Sequence, residues 1–267
     1  MKSYNRYWPV TTLMGLCVTF LTISHMDKYD GIWSTICMIG FAVLIPVFAF
    51  GYKDNSVPGL LFTTFSTTIV VSNADQHNWS IVGWSAAIIY IPLLLQLVDL
   101  VRKSHKKTGS RATALTLIRM FIGLNWLTHC TGKLFTSQLD PSLVRFFSHV
   151  VGSNLIGIDF PISFTHYVII LDGLLEFVLA ISLGLGLLTR FGAFVASGYL
   201  VIAQLLSGHF EAGYTWALPE GGWEFGFFFF MVTYPFMFSK TAGPISLDSH
   251  YLIERSNHGI VRTLSGA

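Results

Sequence analysis

The sequence predicts an all-α integral membrane protein with about eight transmembrane helices, and three observations support this fold class. Of the 267 residues, 52% are hydrophobic and only 11% are charged, whereas soluble domains carry charge on about a quarter of their residues. Apolar stretches long enough to cross a hydrocarbon core of about 30 Å recur along nearly the whole chain. Basic residues cluster between alternate stretches, which is the pattern of cytoplasmic loops. With a net charge of only +2, the chain is predicted to bind no nucleic acid.

Eight apolar segments account for the predicted spans. The first follows Lys2 and Arg6 but is too long for a signal peptide and lacks a small-residue cleavage site, so we interpret it as a span. The third is the shortest and is rich in threonine and serine. The predicted spans cover residues 8–26, 32–50, 57–72, 80–101, 112–135, 161–188, 191–208 and 222–238.

The distribution of lysine and arginine predicts an inner-membrane protein with both termini in the cytoplasm. With this orientation, only Lys28, Lys133 and Arg145 fall outside, and Arg119 alone falls within a span. The basic run "VRKSHKKTGSR" marks the one clear boundary. We therefore expect four units, which are a four-span N-terminal region (1–101), a basic cytoplasmic linker (102–111), a four-helix C-terminal bundle (112–248) and a cytoplasmic tail (249–267).

Ionisable residues concentrate in the fifth and sixth spans, where charge is costly and is usually paired or functional. On the fifth span, the helical period places Arg119, Asn125, His129 and Lys133 on one face. On the sixth, Asp172 and Glu176 are four residues apart and lie one above the other.

Helical rise of about 1.5 Å per residue gives each side chain an approximate depth in the bilayer. By that estimate Arg119 reaches Glu176, and His129 lies level with Asp172. The sequence thus predicts a structural ion pair between Arg119 and Glu176, and a proton-exchanging pair between His129 and Asp172. Two interpretations stay open for the first pair, which either fixes helix register or takes part in chemistry.

The outward side of the last two spans carries a second polar cluster. Its stretch "GHFEAGYTWALPEGGWEF" contains acids and no lysine or arginine. We predict that Glu224 relays protons, and that His209, Trp223 and Asn125 contact substrate. Tryptophans at this level also act as interface anchors.

Cysteines and histidines do not predict a metal site. Cys17, Cys37 and Cys130 are isolated in apolar runs, so we interpret them as packing residues, the alternative being that two of them form a redox pair. The histidines near the outer interface come from separate elements without metal-ligand spacing. The run "FGFFFF" packs in the core or against lipid, or it forms the wall of a quinone-like ligand site.

Four motifs in the second half carry a family resemblance. "GLNWLTHCTGKLF", preceded by Arg119, is followed by "DGLLEFVLAISLGLGLLTRFGAF", "GGWEFGFFFF" and "GPISLD". In this order and spacing, residues 112–248 resemble the DoxX/DoxD family of four-helix membrane proteins. The four extra N-terminal spans and the lack of a redox cysteine pair depart from the family pattern. Family positions that carry over are Arg119, His129, Lys133, Glu176, Arg190, Trp223, Glu224 and Asp248.

The resemblance implies a quinone-linked redox setting of the thiosulfate or thiol oxidation type, with quinone as the expected cofactor. The leading hypothesis is an outward-facing polar pocket in which His129 and Asp172 exchange protons and Lys133 attracts a small anion such as thiosulfate. Whether the chain is itself the enzyme stays open. The alternative is a non-catalytic subunit of a larger membrane complex or homo-oligomer. A small-anion or proton transporter is a third hypothesis.

Overall fold

The computed structural model describes residues 4–29, 31–209, 222–239, 242–252 and 259–265. Within these ranges all regular structure is helical, as the hydropathy pattern predicts. Short 3₁₀ and π-helical segments extend or join the α-helices. The α-helices are α1 (Trp8–Ser24), α2 (Ile32–Gly51), α3 (Ser56–Gln76), α4 (Ser80–Ala87), α5 (Tyr90–Leu134), α6 (Pro141–Arg145), α7 (Gly152–Ile156), α8 (Ile162–Leu179), α9 (Thr189–Leu206), α10 (Trp223–Thr233) and α11 (Gly259–Ser265).

Helix covers each of the eight predicted spans. Among the described residues, five helical stretches are long and apolar enough to cross a membrane, and one of them, Ser80–Leu134, contains the fourth and fifth predicted spans. The threonine-rich third span is the 21-residue helix α3, longer than predicted, and most of it is buried inside the protein. The chain is therefore an α-helical membrane protein.

The basic linker is helical rather than a loop. Helix α5 runs for 45 residues from Tyr90 to Leu134, and its one departure from helical geometry is Gly109, with φ 81° and ψ 174°. Only glycine adopts this backbone conformation at little cost, so Gly109 allows the chain to turn between two spans within one helical element. Gly109 lies within the predicted linker, residues 102–111.

The helices run back and forth between two ends of the bundle. At one end, which we call the basic end, Asn5 N donates to Lys53 O at 2.8 Å and Arg6 pairs with Asp99 at 2.9 Å. At the other, which we call the histidine end, Trp33 Nε1 donates to Leu134 O at 2.6 Å. The basic end also carries the linker, whereas His25, His77, His129, His166 and His209 lie toward the histidine end.

Glycine allows α5 to approach the segment after α8 very closely. A Cβ atom on Gly123 would overlap the backbone of Gly184, and one on Gly173 would lie 2.8 Å from Lys133 Cβ. Gly184 belongs to Ala180–Gly186, a π-helical segment that continues α8. Small residues at such crossings let membrane helices pack backbone to backbone. This contact fixes the two helices that carry the predicted charges.

Candidate functional site

A large cavity opens among α5, α8, α9 and α10. Its volume is about 1670 Å³, and we call it the main cavity. Residues of the connecting segment 136–155 form its wall toward the histidine end, and the aromatic side chains of Phe194, Phe230 and Tyr234 line its apolar part. Its charged or polar lining includes Gln76, His77, His129, Lys133, Asp172, Ser197, Tyr199, Gln204 and His209.

An ammonium and a carboxylate line this cavity, and a second carboxylate behind them contacts the same ammonium. Lys133 Nζ lies 2.6 Å from Asp172 Oδ2 and 2.7 Å from Glu176 Oε1. The exposed fraction of these side chains is 11% for Lys133, 14% for Asp172 and 4% for Glu176. The spacing of four residues on α8 stacks the two acids on one face, so that a single lysine from α5 reaches both. We call these three residues with Tyr199 the charge cluster.

Tyr199 completes the charge cluster from α9. Its hydroxyl donates to Asp172 Oδ1 at 2.6 Å and lies 3.3 Å from Glu176 Oε1. The ring packs edge to face on Trp126 of α5, with centroids 5.2 Å apart. Three helices are therefore joined at one polar point inside the membrane, where each hydrogen bond to a charged group has more effect than in water.

The predicted ion pair between Arg119 and Glu176 is wrong. Glu176 pairs with Lys133, while the fully buried Arg119 donates to backbone carbonyls instead. Its Nε donates to Ala242 O at 2.9 Å and its Nη2 to Ile245 O at 2.6 Å. Its Nη1 donates to Leu183 O and Gly184 O. The physical reason is that π-helical and non-helical backbone leaves carbonyls without helical partners, and a guanidinium supplies five donors to satisfy them.

Asp248 is the carboxylate whose negative charge interacts with the Arg119 guanidinium. It is 1% exposed and accepts hydrogen bonds from Leu188 N at 2.9 Å and from Thr189 N and Oγ1 at 3.1 Å each. Burial raises the pKa of Asp248, and the hydrogen bonds and the positive charge of Arg119 partly oppose that rise. Hydrogen bonds to Arg119 and to the start of α9 thus anchor residues 242–248 at the basic end of the bundle.

His129 and Asp172 line the same cavity but form no hydrogen bond with each other, which corrects the predicted pair. Asp172 directs one oxygen to Lys133 and the other to Tyr199. The His129 side chain is exposed to the cavity and interacts electrostatically with Lys133 and Asp172. Proton transfer between them therefore needs a bridging water or ligand group.

The remaining predicted site residues divide between the cavity and its surroundings. His209 lines the main cavity, whereas Asn125 and Trp223 do not. Glu224 is buried at the start of α10, where its Oε1 accepts from Gly222 N at 3.2 Å, and it does not line the cavity. Its place in a proton relay stays a prediction. The acids of the preceding loop, Glu211 and Glu220, lie outside the described residues.

Sequence reasoning missed Tyr199, Gln76 and His77. The sequence contains one signal for Tyr199: it is a polar aromatic residue within a predicted span, at the depth of the two acids. Gln76 and His77 come from the end of α3, so the N-terminal half also builds the cavity that was predicted from the second half alone. Gly132 makes room for the Gln76 amide, because a Cβ there would lie 2.8 Å from Gln76 Nε2.

Polar atoms without partners remain beside the charge cluster. Ser197 Oγ and Glu176 Oε2 are buried and have no hydrogen-bond partner among the described residues. Trp126 Nε1, next to Tyr199, is also buried without a hydrogen-bond partner among the described residues. Buried polar atoms are nearly always satisfied by protein, water or ligand. Ser197 is the one of these three residues that lines the main cavity, so its hydroxyl is open to a hydrogen bond with water or a ligand there.

Helices packed through glycines around buried ionisable side chains and a large cavity define a membrane helical bundle with a polar internal site. The DoxX family model matches residues 114–209 of the chain. This confirms the DoxX resemblance over that segment, which carries Arg119 and the whole charge cluster. No curated protein and no solved structure matches the chain.

Proposed function

We propose that this protein works in quinone-linked redox chemistry of the inner membrane, with the main cavity as the quinone site. The observation that carries the proposal is the charge cluster at the polar part of a cavity of about 1670 Å³ whose remaining wall is largely aromatic and aliphatic. A lipid-soluble ring with oxygen substituents needs these two environments together, apolar packing for its ring and tail and hydrogen-bond groups for its oxygens.

A quinone fits the groups that the cavity presents. Ser197 Oγ is a buried donor without a partner among the described residues, and His129 exposes its imidazole to the cavity. Phe194 and Phe230 supply flat apolar surface. When bound, a quinone accepts a pair of electrons and a pair of protons. The chain's own side chains would hold the ring, exclude water and supply the protons.

The charge balance of the cluster supports a role in proton supply. With Lys133, Asp172 and Glu176 all ionised, the cluster carries one more negative than positive charge in an apolar environment, which is unfavourable. Uptake of one proton restores neutrality. We infer that Tyr199 shares its hydroxyl hydrogen with the acids, and that His129 passes protons between the cluster and the cavity.

The orientation and the electron donor are further parts of the proposal. The basic end, with the linker, faces the cytoplasm, and the histidine end faces outward. A small anion such as thiosulfate, or a small thiol, then enters from outside and is attracted by the Lys133 ammonium. Two of these anions or thiols join through a new S–S bond, and the two electrons released reduce the quinone, which takes up two protons and becomes the quinol.

Quinone reduction by the purified protein in lipid nanodiscs tests the proposal. Thiosulfate or a small thiol is supplied, and the quinone absorbance is followed with time. We expect turnover that falls by about a hundredfold or more in His129→Ala, because general acid-base catalysis typically contributes about 10²–10⁴-fold. The matched control is His149→Ala, whose exposed side chain pairs with Asp159 on the outward segment. Absence of turnover together with absence of saturable quinone binding would overturn the proposal.

One observation favours the second hypothesis, an accessory subunit of a larger complex. Cys17, Cys37 and Cys130 lie on three different helices and form no disulfide in this structure, so it shows no disulfide that could carry electrons within the chain. A partner subunit would then deliver the electrons. Saturable quinone binding without turnover, together with a stoichiometric partner that copurifies in mild detergent, would support this function.

A further inference from the structure

Four basic side chains, which we call the basic stripe, lie along the part of α5 that precedes Gly109. They are Arg102, Lys103, Lys106 and Lys107, and all four are exposed. At about 100° per residue they fall within an arc of about 140° around the helix. Because the linker is helical rather than a loop, its geometry keeps these charges together on one face.

The basic stripe has no acidic partner among the described residues. None of its side chains takes part in an ion pair there. Asp99 lies one helical turn before Arg102, at a spacing that favours pairing on a helix. Its Oδ2 instead lies 2.9 Å from Arg6 Nη2 and accepts from the Tyr7 hydroxyl at 3.2 Å. The positive charge of the stripe is therefore available to an external anion.

The spacing of the basic stripe also works against the helix that carries it. Arg102 and Lys103 each precede another stripe residue by four positions, and Lys103 precedes Lys106 by three. Like charges at these spacings repel and destabilise a helix. The helix nevertheless continues as far as Gly109. A negatively charged surface beside the stripe would offset this repulsion.

The level of the basic stripe is that of lipid head groups. Tyr7 contacts Asp99, and the nearby Trp8 Nε1 donates to the Tyr4 hydroxyl, which gives this end the aromatic residues typical of a membrane interface. With a rise of about 1.5 Å per residue, the stripe extends from about 4.5 Å to about 12 Å beyond Asp99. The head-group layer is about 5–7 Å thick on each side of the bilayer. Long apolar stems let lysine and arginine bend back to reach the phosphates.

We propose that the basic stripe binds anionic phospholipids of the leaflet at the basic end. Groups of four or more basic residues beside a membrane span are typical of such recognition, and each cation contributes roughly fivefold to affinity. The bound phosphates offset the repulsion within the stripe. They thereby stabilise the helix before Gly109, where the chain turns between its two halves. This inference does not depend on the proposed redox function.

Native mass spectrometry of the full chain released from nanodiscs tests the proposal. The nanodiscs contain phosphatidylglycerol and phosphatidylcholine at equal mole fraction, with acyl chains chosen so that the lipid masses differ. Both lipids carry a phosphate, but only phosphatidylglycerol has a net negative charge. We expect the wild type to retain phosphatidylglycerol preferentially. Lys103→Gln with Lys107→Gln should reduce this preference by about tenfold or more, because it removes two cations that each contribute roughly fivefold.

The matched control is Lys28→Gln with Arg145→Gln. This pair removes the same net charge from exposed positions toward the histidine end. It should leave the preference unchanged, because exposed charges separated by more than a Debye length of about 8–10 Å are screened from each other. Glycerol phosphate added in solution should not displace the retained lipid. Displacement would overturn the proposal and assign the stripe to a free anion.

Amide hydrogen exchange of residues 102–108 gives a second measurement. In the wild type, exchange should be slower in phosphatidylglycerol than in phosphatidylcholine, and the Lys103→Gln and Lys107→Gln double variant should lose this difference. Equal retention of both lipids by the wild type would overturn the proposal. A phosphatidylglycerol preference that falls equally in the stripe variant and in the control would also overturn it, because net charge alone would then explain the binding.

Discussion

Lys133 Nζ lies 2.6 Å from Asp172 Oδ2, and neither side chain exposes more than 14% of its surface. The lysine ends one membrane helix and the aspartate lies in the middle of another, so the pair joins two elements inside the apolar layer. A buried ion pair of this kind adds little stability beyond an apolar pair of the same shape, but losing one partner leaves an uncompensated charge. Removal of single members therefore tests the charge cluster most sharply.

Lys133→Met should destabilise the protein strongly. The substitution leaves Asp172 and Glu176 facing each other without a cation, and loss of one partner from a buried ion pair costs about 3–5 kcal/mol. The free energy of unfolding in mixed detergent micelles measures the effect. Adding Glu176→Gln to Lys133→Met removes one of the stranded carboxylates and should recover part of the loss. Equal stability of the wild type and Lys133→Met would contradict the buried pairing.

Tyr199→Phe should weaken the site without disrupting the fold. The substitution keeps the ring that packs on Trp126 but removes the hydrogen bond to Asp172, and hydrogen bonds to charged groups contribute about 1.5–3 kcal/mol. Unfolding free energy and quinone affinity are measured together. Tyr234→Phe is the control, because Tyr234 lines the same cavity away from the charge cluster. Similar losses in both variants would show that the Tyr199 hydroxyl has no special role.

The fold was largely predictable from the sequence, and the charge cluster only in part. Hydropathy and basic clustering predict the spans because each is a local property of about twenty residues. The depth estimate correctly identified α5 and α8 as the helices whose charged side chains pair with each other. It paired Arg119 with Glu176 because it assumed regular helix and neighbouring partners. The actual partners of Arg119 are carbonyls of a π-helical segment and of residues 242–245, more than 120 positions away in the chain. Local periodicity contains no signal for such contacts.

Arg119→Lys should release the segment that follows the last span. Arg119 satisfies carbonyls from two different segments at once, among them Ala242 O and Ile245 O, and a lysine ammonium cannot reproduce the planar fork. We expect faster cleavage by an added protease within residues 242–252 and a lower unfolding free energy. The control is Arg190→Lys, because Arg190 Nε also donates to a carbonyl, that of Met237, at 3.0 Å, but is only half-buried. Identical cleavage rates for Arg119→Lys and the wild type would contradict the anchoring role.

Asp248 should give stability a defined pH dependence in acid. Burial raises its pKa above the ordinary value of 3.8, so the folded protein binds this proton more tightly than the unfolded chain. Its contribution is therefore most favourable below pH 3.8, and it declines as the pH rises from 3.8 through the folded pKa. Thermal unfolding across this range should show the decline in the wild type and not in Asp248→Asn. Asp140, whose pKa is lowered by hydrogen bonds from Ser142, acts with the opposite sign. A wild-type curve that matches Asp248→Asn throughout would contradict the raised pKa.

Gly123→Ala tests the helix contact on which the charge cluster depends. A Cβ at this position meets the backbone of Gly184, which cannot rotate away as a side chain could, so α5 and the segment after α8 must separate. Overpacking of this kind costs about 1–3 kcal/mol, and separation of the helices would also lengthen the contact of Lys133 with Asp172. Gly40→Ala is the matched control, because nothing lies within 4 Å of a Cβ there. Since alanine favours helix over glycine, Gly40→Ala should be neutral or stabilising. If the two variants unfold at the same denaturant concentration, α5 does not approach Gly184 through Gly123, and the position of Lys133 between the two acids loses its structural basis.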